Sequence, residues 1–182
     1  MWSPTQVLQG AIVLSIVLYN DCCFSVFEHI EDDSVDLLLV DLPYGTTKCK
    51  WDSRLPLDKL WQEYNRVCKT NAAMIFTASQ PFTTTLILSN IKNFKYCWVW
   101  EKSKATGYLN AKKMPMKAHE DVCVFYRKPP TYNPQKWQST PYNKGTAHRP
   151  TEVYGKQVAV TVKNDSGLRY PRTIQYFKTA ES

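Results

Sequence analysis

Four consecutive residues, Asp41, Leu42, Pro43 and Tyr44, stand where the apolar run VDLLLV ends and the polar run GTTKCKW begins. An exocyclic amine on a nucleobase is a poor nucleophile, because its lone pair is conjugated into the ring. A catalyst that makes it attack an electrophilic methyl group must accept hydrogen bonds from both N–H groups and let the nitrogen turn tetrahedral. A carboxylate beside a backbone carbonyl provides the two acceptors. Asp41 offers the first and Leu42 the second, its carbonyl held extended because Pro43 disfavours the helical region for the residue before it. Tyr44 adds an aromatic face for a base that has left its duplex, where such stacking is worth about 1–3 kcal/mol per base. The same Asp-x-Pro-Tyr-Gly run also makes a plain turn, with Asp capping, Pro fixing φ and Gly45 permitting a positive one. The four letters alone favour the turn, so the surrounding chain has to decide.

AIVLSIVL (11–18) and VDLLLV (35–40) are short, rich in β-branched residues and almost wholly apolar, like strands covered on both faces of a parallel sheet. CFSVFEHI between them is at most a short helix. After Pro56, apolar residues recur at three- and four-residue steps through LDKLWQEYNRVCK, which predicts an amphipathic helix. NAAMIFTAS, FKYCWVWEK and DVCVFYRK read as further strands, and QPFTTTLILSNI as a second helix. This alternation predicts an α/β fold: an open, mostly parallel, twisted sheet with helices on both faces. Ligands of such sheets sit beyond the carboxyl ends of the strands. Asp41 to Gly45 holds that place after one strand and Asp21 after the preceding one, so both acids are expected at one cleft. Trp98 and Trp100 alternate along their strand and are expected in the core.

From Pro129 to Pro150 the chain becomes rich in proline and aromatics and loses periodicity. We read 1–128 as the α/β unit and 129–182 as an insert or target-recognition region rather than an independent domain. Tyr132, Trp137 and Tyr142 there suit either reading a target or holding the insert together.

The 182 residues, 43% apolar and 13% aromatic, suffice for one packed core. Net charge is +7 and the pI is near 9.1. Between Lys92 and Arg149 twelve Lys and Arg face three acids, so the basic excess is confined to one segment, as a polyanionic partner would require. Lys102, Lys104, Lys112, Lys113 and Lys117, in KSKATGYLNAKKMPMK, are the candidates for phosphate contact, the alternative being a solvated lysine-rich loop. The six cysteines form no Cys-x-x-Cys pair, and His29, His119 and His148 have no ligand spacing with them. Reduced thiols and no metal site are expected. The apolar run 11–19 is too short to span a bilayer, and no Lys or Arg precedes it as a signal peptide needs, so a cytoplasmic protein is expected.

On these residues the chain resembles the site-specific DNA amino-methyltransferases, whose catalytic motif is Asp-Pro-Pro-Tyr or a close variant after a hydrophobic strand. YNDCCFSVFEHIEDDSVDLLLVDLPYG, TTKCKWD, TASQPF, VWEKSKATGYLNAKKMPMKAHEDVCVFYRK and PTYNPQ are similar to phage and prophage members, over roughly residues 17–150. The resemblance implies that Asp41 and the Leu42 carbonyl bind the target amine, Pro43 shapes the turn and Tyr44 stacks on the flipped base. It places Asp21 and Asp41 near bound S-adenosylmethionine and makes double-stranded DNA the partner, in the setting of restriction–modification. Aspartate at the motif's first place implies the 6-amino group of adenine, with the 4-amino group of cytosine left open. His119 and Glu120 match a His-Glu pair with a structural part, and Trp51 fits either packing or DNA contact.

Two features depart from that pattern. Leu42 stands where proline is commoner, which matters little for a main-chain acceptor. The six glycines are all isolated, and neither the Phe-x-Gly-x-Gly cofactor loop nor the His-Pro-Thr-x-Lys-Pro stretch before it is present. Three readings therefore stand side by side: a truncated product, a homodimer or other partner that supplies the loop, or a catalytically incomplete DNA-binding protein.

Overall fold

The computed structural model describes residues 15–147 and 160–178. In chain order the elements are α1 (Cys23–Phe27), β1 (Val35–Asp41), α2 (Leu57–Val67), β2 (Cys68–Ala78), α3 (Phe82–Ser89), β3 (Phe94–Thr106), a 3-10 turn (Tyr108–Asn110) and β4 (Lys117–Phe125). The short strands β5 (Trp137–Gln138), β6 (Tyr142–Ala147), β7 (Val160–Asn164), β8 (Leu168–Arg169) and β9 (Ile174–Phe177) follow.

Helix α2 forms where the periodicity predicts it. Leu60, Trp61, Tyr64 and Val67 are its buried stripe, Asp58 sits in the first turn and Arg66 in the last, each matching the helix dipole. The Arg66 guanidinium also pins α1, donating to the carbonyls of Phe27 and Ile30 at 2.7 and 3.0 Å and pairing with Asp32 at 2.6 Å. At Cys68 the backbone turns extended and β2 begins without a loop.

The central sheet runs β1-β2-β4-β3-β9. β1 pairs with β2 in parallel, with Asp41 beside Thr77, as the crossover through α2 requires. β4 lies antiparallel between β2 and β3, and β9 returns parallel to β3. The α/β class is as expected, whereas the parallel majority is not: two of the four pairings are antiparallel, because β3 and β4 are joined by a hairpin that holds no crossover helix.

One face of this sheet carries the helices. Trp61 of α2 stands 5.2 Å from Phe76 and 5.0 Å from Phe125, ring to ring, and Phe27 of α1 packs at 5.6 Å on Tyr64. Phe82 and Leu86 of α3 join the same cluster, so the three described helices cover one face and not both. On the opposite face Leu37 and Leu39 are 57% and 69% exposed. Trp98 and Trp100, expected in the core, lie half-buried on that open face. Their register partners are Val122 and Glu120, not the buried Cys123 and Phe125 that face the helices.

Residues 15–18, the described part of the expected first strand, are not in a strand. No described strand flanks the outer edge of β1 to give them a ladder, and Ile16 and Leu18 stand exposed. Residues 11–14 of that expected strand lie outside the described residues, as do 148–159 and 179–182 of the expected insert. Within 129–182, β5 pairs with β8 and β6 with β7, while β9 joins the main sheet. All six cysteines are free thiols. No described helix is long and apolar enough to cross a membrane.

Candidate active site

Asp41 is the last residue of β1, and its carboxylate is exposed at the carboxyl edge of the sheet. Its Oδ1 accepts the Tyr44 hydroxyl at 3.0 Å and the hydroxyl of Thr77 from the neighbouring strand. Oδ2 accepts no bond among the described residues. Two neutral donors on one oxygen orient the carboxylate and leave the other oxygen for a ligand. Thr77 carries no role in the sequence reading, although its place beside Asp41 at the end of a parallel neighbour is the signal that marks it.

Leu42 turns the other way, with its side chain 8% exposed among the helix-covered apolar residues. That burial anchors the main chain on which the second acceptor sits, and it accounts for a leucine here. Tyr44 stacks on Phe82 at 5.4 Å with the rings 20° apart, which fixes it as a wall rather than a free flap. Burial pushes its hydroxyl above the ordinary phenol range, so it remains a donor to Asp41 at neutral pH.

The loop after Tyr44 is held by a residue the sequence reading gave no role. The carboxylate of Asp52 accepts the backbone N–H groups of Gly45, Thr46 and Thr47 at 2.7, 2.9 and 2.6 Å. Those bonds, Gly45's foremost, pull its pKa from 3.8 down to about 2. Arg54 completes the clasp, its Nε donating to the Tyr44 carbonyl at 3.0 Å. Gly45 has φ +67°, and a Cβ there would stand 2.8 Å from Arg54 Cγ, so a side chain is excluded twice over. The only trace of this clasp in the sequence is an acid within the lysine-bearing stretch KCKWD.

Around the motif lies a pocket of about 160 Å³, whose walls include Asp41, Leu42, Pro43, Tyr44, Trp51 and Glu120. It is smaller than the roughly 300–1,000 Å³ of drug-sized sites and suits a single ring system. A larger cavity of about 420 Å³ opens near the opposite end of β3, lined by Tyr96, Trp98, Tyr126, Tyr132 and Arg172. It offers aromatic faces and a guanidinium but no carboxylate, so the acid chemistry belongs to the smaller pocket. Trp51, undecided from sequence, is 72% exposed at that pocket's rim. Glu120, expected only to brace the loop, is brought to the pocket wall.

The five candidate lysines divide. Lys102 Nζ pairs with Glu120 at 2.5 Å and lies 4.5 Å from the centre of the Trp100 ring, and Lys117 donates to the buried Ser79 hydroxyl. These two are engaged at the base of the β3–β4 hairpin. Lys104, Lys112 and Lys113 are exposed farther along it. Asp21 does not reach the pocket: it is exposed, and its Oδ1 accepts the neighbouring Cys22 N–H at 2.6 Å. Among the described residues no group of three His, Cys, Asp or Glu could hold a metal ion.

No family model matches this sequence, and no curated protein does. Solved structures do. The M1.HpyAVI–SAM complex matches over 68% of this chain and 62% of its own, at 16% identity and a TM-score of 0.50. The PvuII DNA methyltransferase, described as cytosine-N4-specific, matches over 90% of this chain and 57% of its own, at 11% identity and a TM-score of 0.50. This chain therefore shares the mixed α/β fold of those structures, and it spans about three fifths of their length.

Proposed function

We propose that this chain holds the target base for an S-adenosylmethionine-dependent DNA methyltransferase that acts on the 6-amino group of an adenine flipped out of double-stranded DNA. Asp41 carries this reading: one oxygen is fixed by Tyr44 and Thr77, while the other is free beside a pocket the size of one ring system. In that pocket Asp41 Oδ2 and the Leu42 carbonyl accept the two N–H groups of the amine. Tyr44, backed by Phe82, supplies the stacking face the base loses on leaving the duplex. The shared fold with a DNA methyltransferase and with a SAM complex supports the substrate class and the methyl donor.

Among the described residues the walls of the pocket hold no glycine-rich turn for that donor. No Gly-x-Gly occurs anywhere in the sequence, and Asp21 stands apart from the pocket. The donor, when bound, would supply the electrophilic methyl, and a homodimer partner or another chain would complete its cradle. The residues here bind the base and orient the amine. The missing glycine loop also favours a second reading, a DNA-binding protein that keeps the base pocket and transfers nothing.

Incubation with tritiated S-adenosylmethionine and methylation-free duplex DNA, RNA or protein, followed by nucleoside analysis, separates these readings. Label in N6-methyladenine from duplex DNA is expected, with Asp41→Ala lowering it about 10²–10³-fold, the usual cost of losing one preorganised charge-stabilising group. Label in N4-methylcytosine would move the assignment to cytosine. Duplex binding without label, and without heat on titrating S-adenosylmethionine, would establish the binding-only reading. Neither label nor duplex binding would overturn both.

A further inference from the structure

We infer that the tip of the β3–β4 hairpin, residues 107–116, is a wedge that enters the duplex beside the target base, with Tyr108 and Leu109 filling the space the flipped base leaves. The inference rests on the base-flipping reading above and adds to it a device for keeping the base out. Tyr108 is 79% exposed and Leu109 94% exposed, with Met114 at 60% on the return side. Such a cluster is costly on a free surface unless something covers it.

The tip is nonetheless ordered in its main chain. Asn110 and Ala111 N–H donate to the Gly107 and Tyr108 carbonyls at 2.9 and 3.0 Å, and Lys113 and Met114 N–H both donate to the Asn110 carbonyl, at 2.8 and 3.0 Å. Gly107 starts this turn at φ +92° in open space. A scaffold that satisfies its own backbone while displaying apolar side chains is built for insertion rather than for packing.

Topology aims it. β2 ends at Ala78 opposite Asp121, at the same sheet edge where β1 ends in Asp41. The hairpin continues past that edge, still paired at Glu101 with His119 and at Thr106 with Lys117. From Glu120, which lines the pocket, to Lys117 the strand climbs about 10 Å at the usual rise per residue. The base pocket therefore lies at the foot of the hairpin and the apolar tip above it. Exposed Lys104, Lys112 and Lys113 flank the tip with positive charge and no partnering acid nearby in sequence, which identifies the occupant as a polyanion with apolar steps between its charges. Duplex DNA entered by apolar side chains between unstacked base steps fits that description.

A duplex with an abasic site has the gap already made, so a wedge prefers it. Fluorescence anisotropy against matched intact and abasic duplexes should show the wild-type chain binding the abasic one about tenfold more tightly, the scale of one stacking contact. The double variant Tyr108→Ala/Leu109→Ala, at exposed positions where folding is unaffected, should lose that preference and keep the salt dependence. Lys112→Ala/Lys113→Ala should weaken both duplexes alike and lower the salt slope by about 2, roughly one for each phosphate no longer neutralised. Asp41→Ala should retain the preference, since it alters the pocket and leaves the tip intact. If the double variant keeps the preference, or Asp41→Ala abolishes it, the wedge is overturned while methyl transfer still stands. A wild-type chain that binds neither duplex overturns the proposed function and the wedge together.

Discussion

The two faces of the central sheet are made from the same strands and do different work. Toward the helices, Phe76, Phe125, Trp61 and Tyr64 pack ring against ring, edge to face or tilted, with centroids 5.0–5.8 Å apart. Toward the open side the alternate residues of the same strands are Asp41 and Thr77, with Glu120 and Trp100 beyond them. One register step along β1 or β2 thus separates a residue that holds the protein together from one that can meet a ligand. Stability and chemistry can be perturbed separately, and that separation is open to test.

The sharpest test is on the covered face. Phe125→Ala removes a fully buried ring in contact with Trp61, Phe76 and Phe94, and should cost about 3–5 kcal/mol in denaturant unfolding. Asp41→Ala, by contrast, should leave the unfolding midpoint near wild type while lowering methyl incorporation about 10²–10³-fold, because its carboxylate is exposed and its two donors can turn to water. If the two variants lose stability equally, the division between the faces fails.

Asp52→Asn sits between these extremes. The amide replaces one accepting oxygen with a donor facing backbone N–H groups, so the loop after Tyr44 should loosen and the melting temperature fall at neutral pH. Because the Asp52 pKa is lowered on folding, from 3.8 to about 2, its contribution is present above pH 3.8 and is lost as the pH falls toward 2. Wild type and variant should therefore converge in thermal melts below about pH 2, and a constant gap across that window would count against the clasp. The smallest effect is expected at Thr46→Ala. Its bond to Asp52 is made by the main chain, so stability should stay within about 0.5 kcal/mol.

How much of this was legible in the sequence depended on the range of the interaction. Helix α2 was readable because its buried stripe, Leu60 to Val67, is a local period of the chain. The position of Asp41 at a strand end was readable for the same reason. Strand direction was not, since an apolar strand looks alike either way up. The absence of a helical pattern between FKYCWVWEK and DVCVFYRK was the available clue to a hairpin. The partners of two lysines were not readable because they lie far off in sequence, Ser79 from Lys117 and Glu120 from Lys102. Asp52 escaped because an acid that serves three backbone N–H groups leaves no complementary residue type to recognise.

Because Asp52 grips amide hydrogens and not side chains, the identity of residue 46 is free to drift over generations, while position 52 and the bare glycine at 45 are not. Among distant cousins such a loop would read as a variable stretch with a fixed acid several places downstream. An engineer wishing to retune what the pocket admits has room at residue 46, which lines it, without first rebuilding the turn.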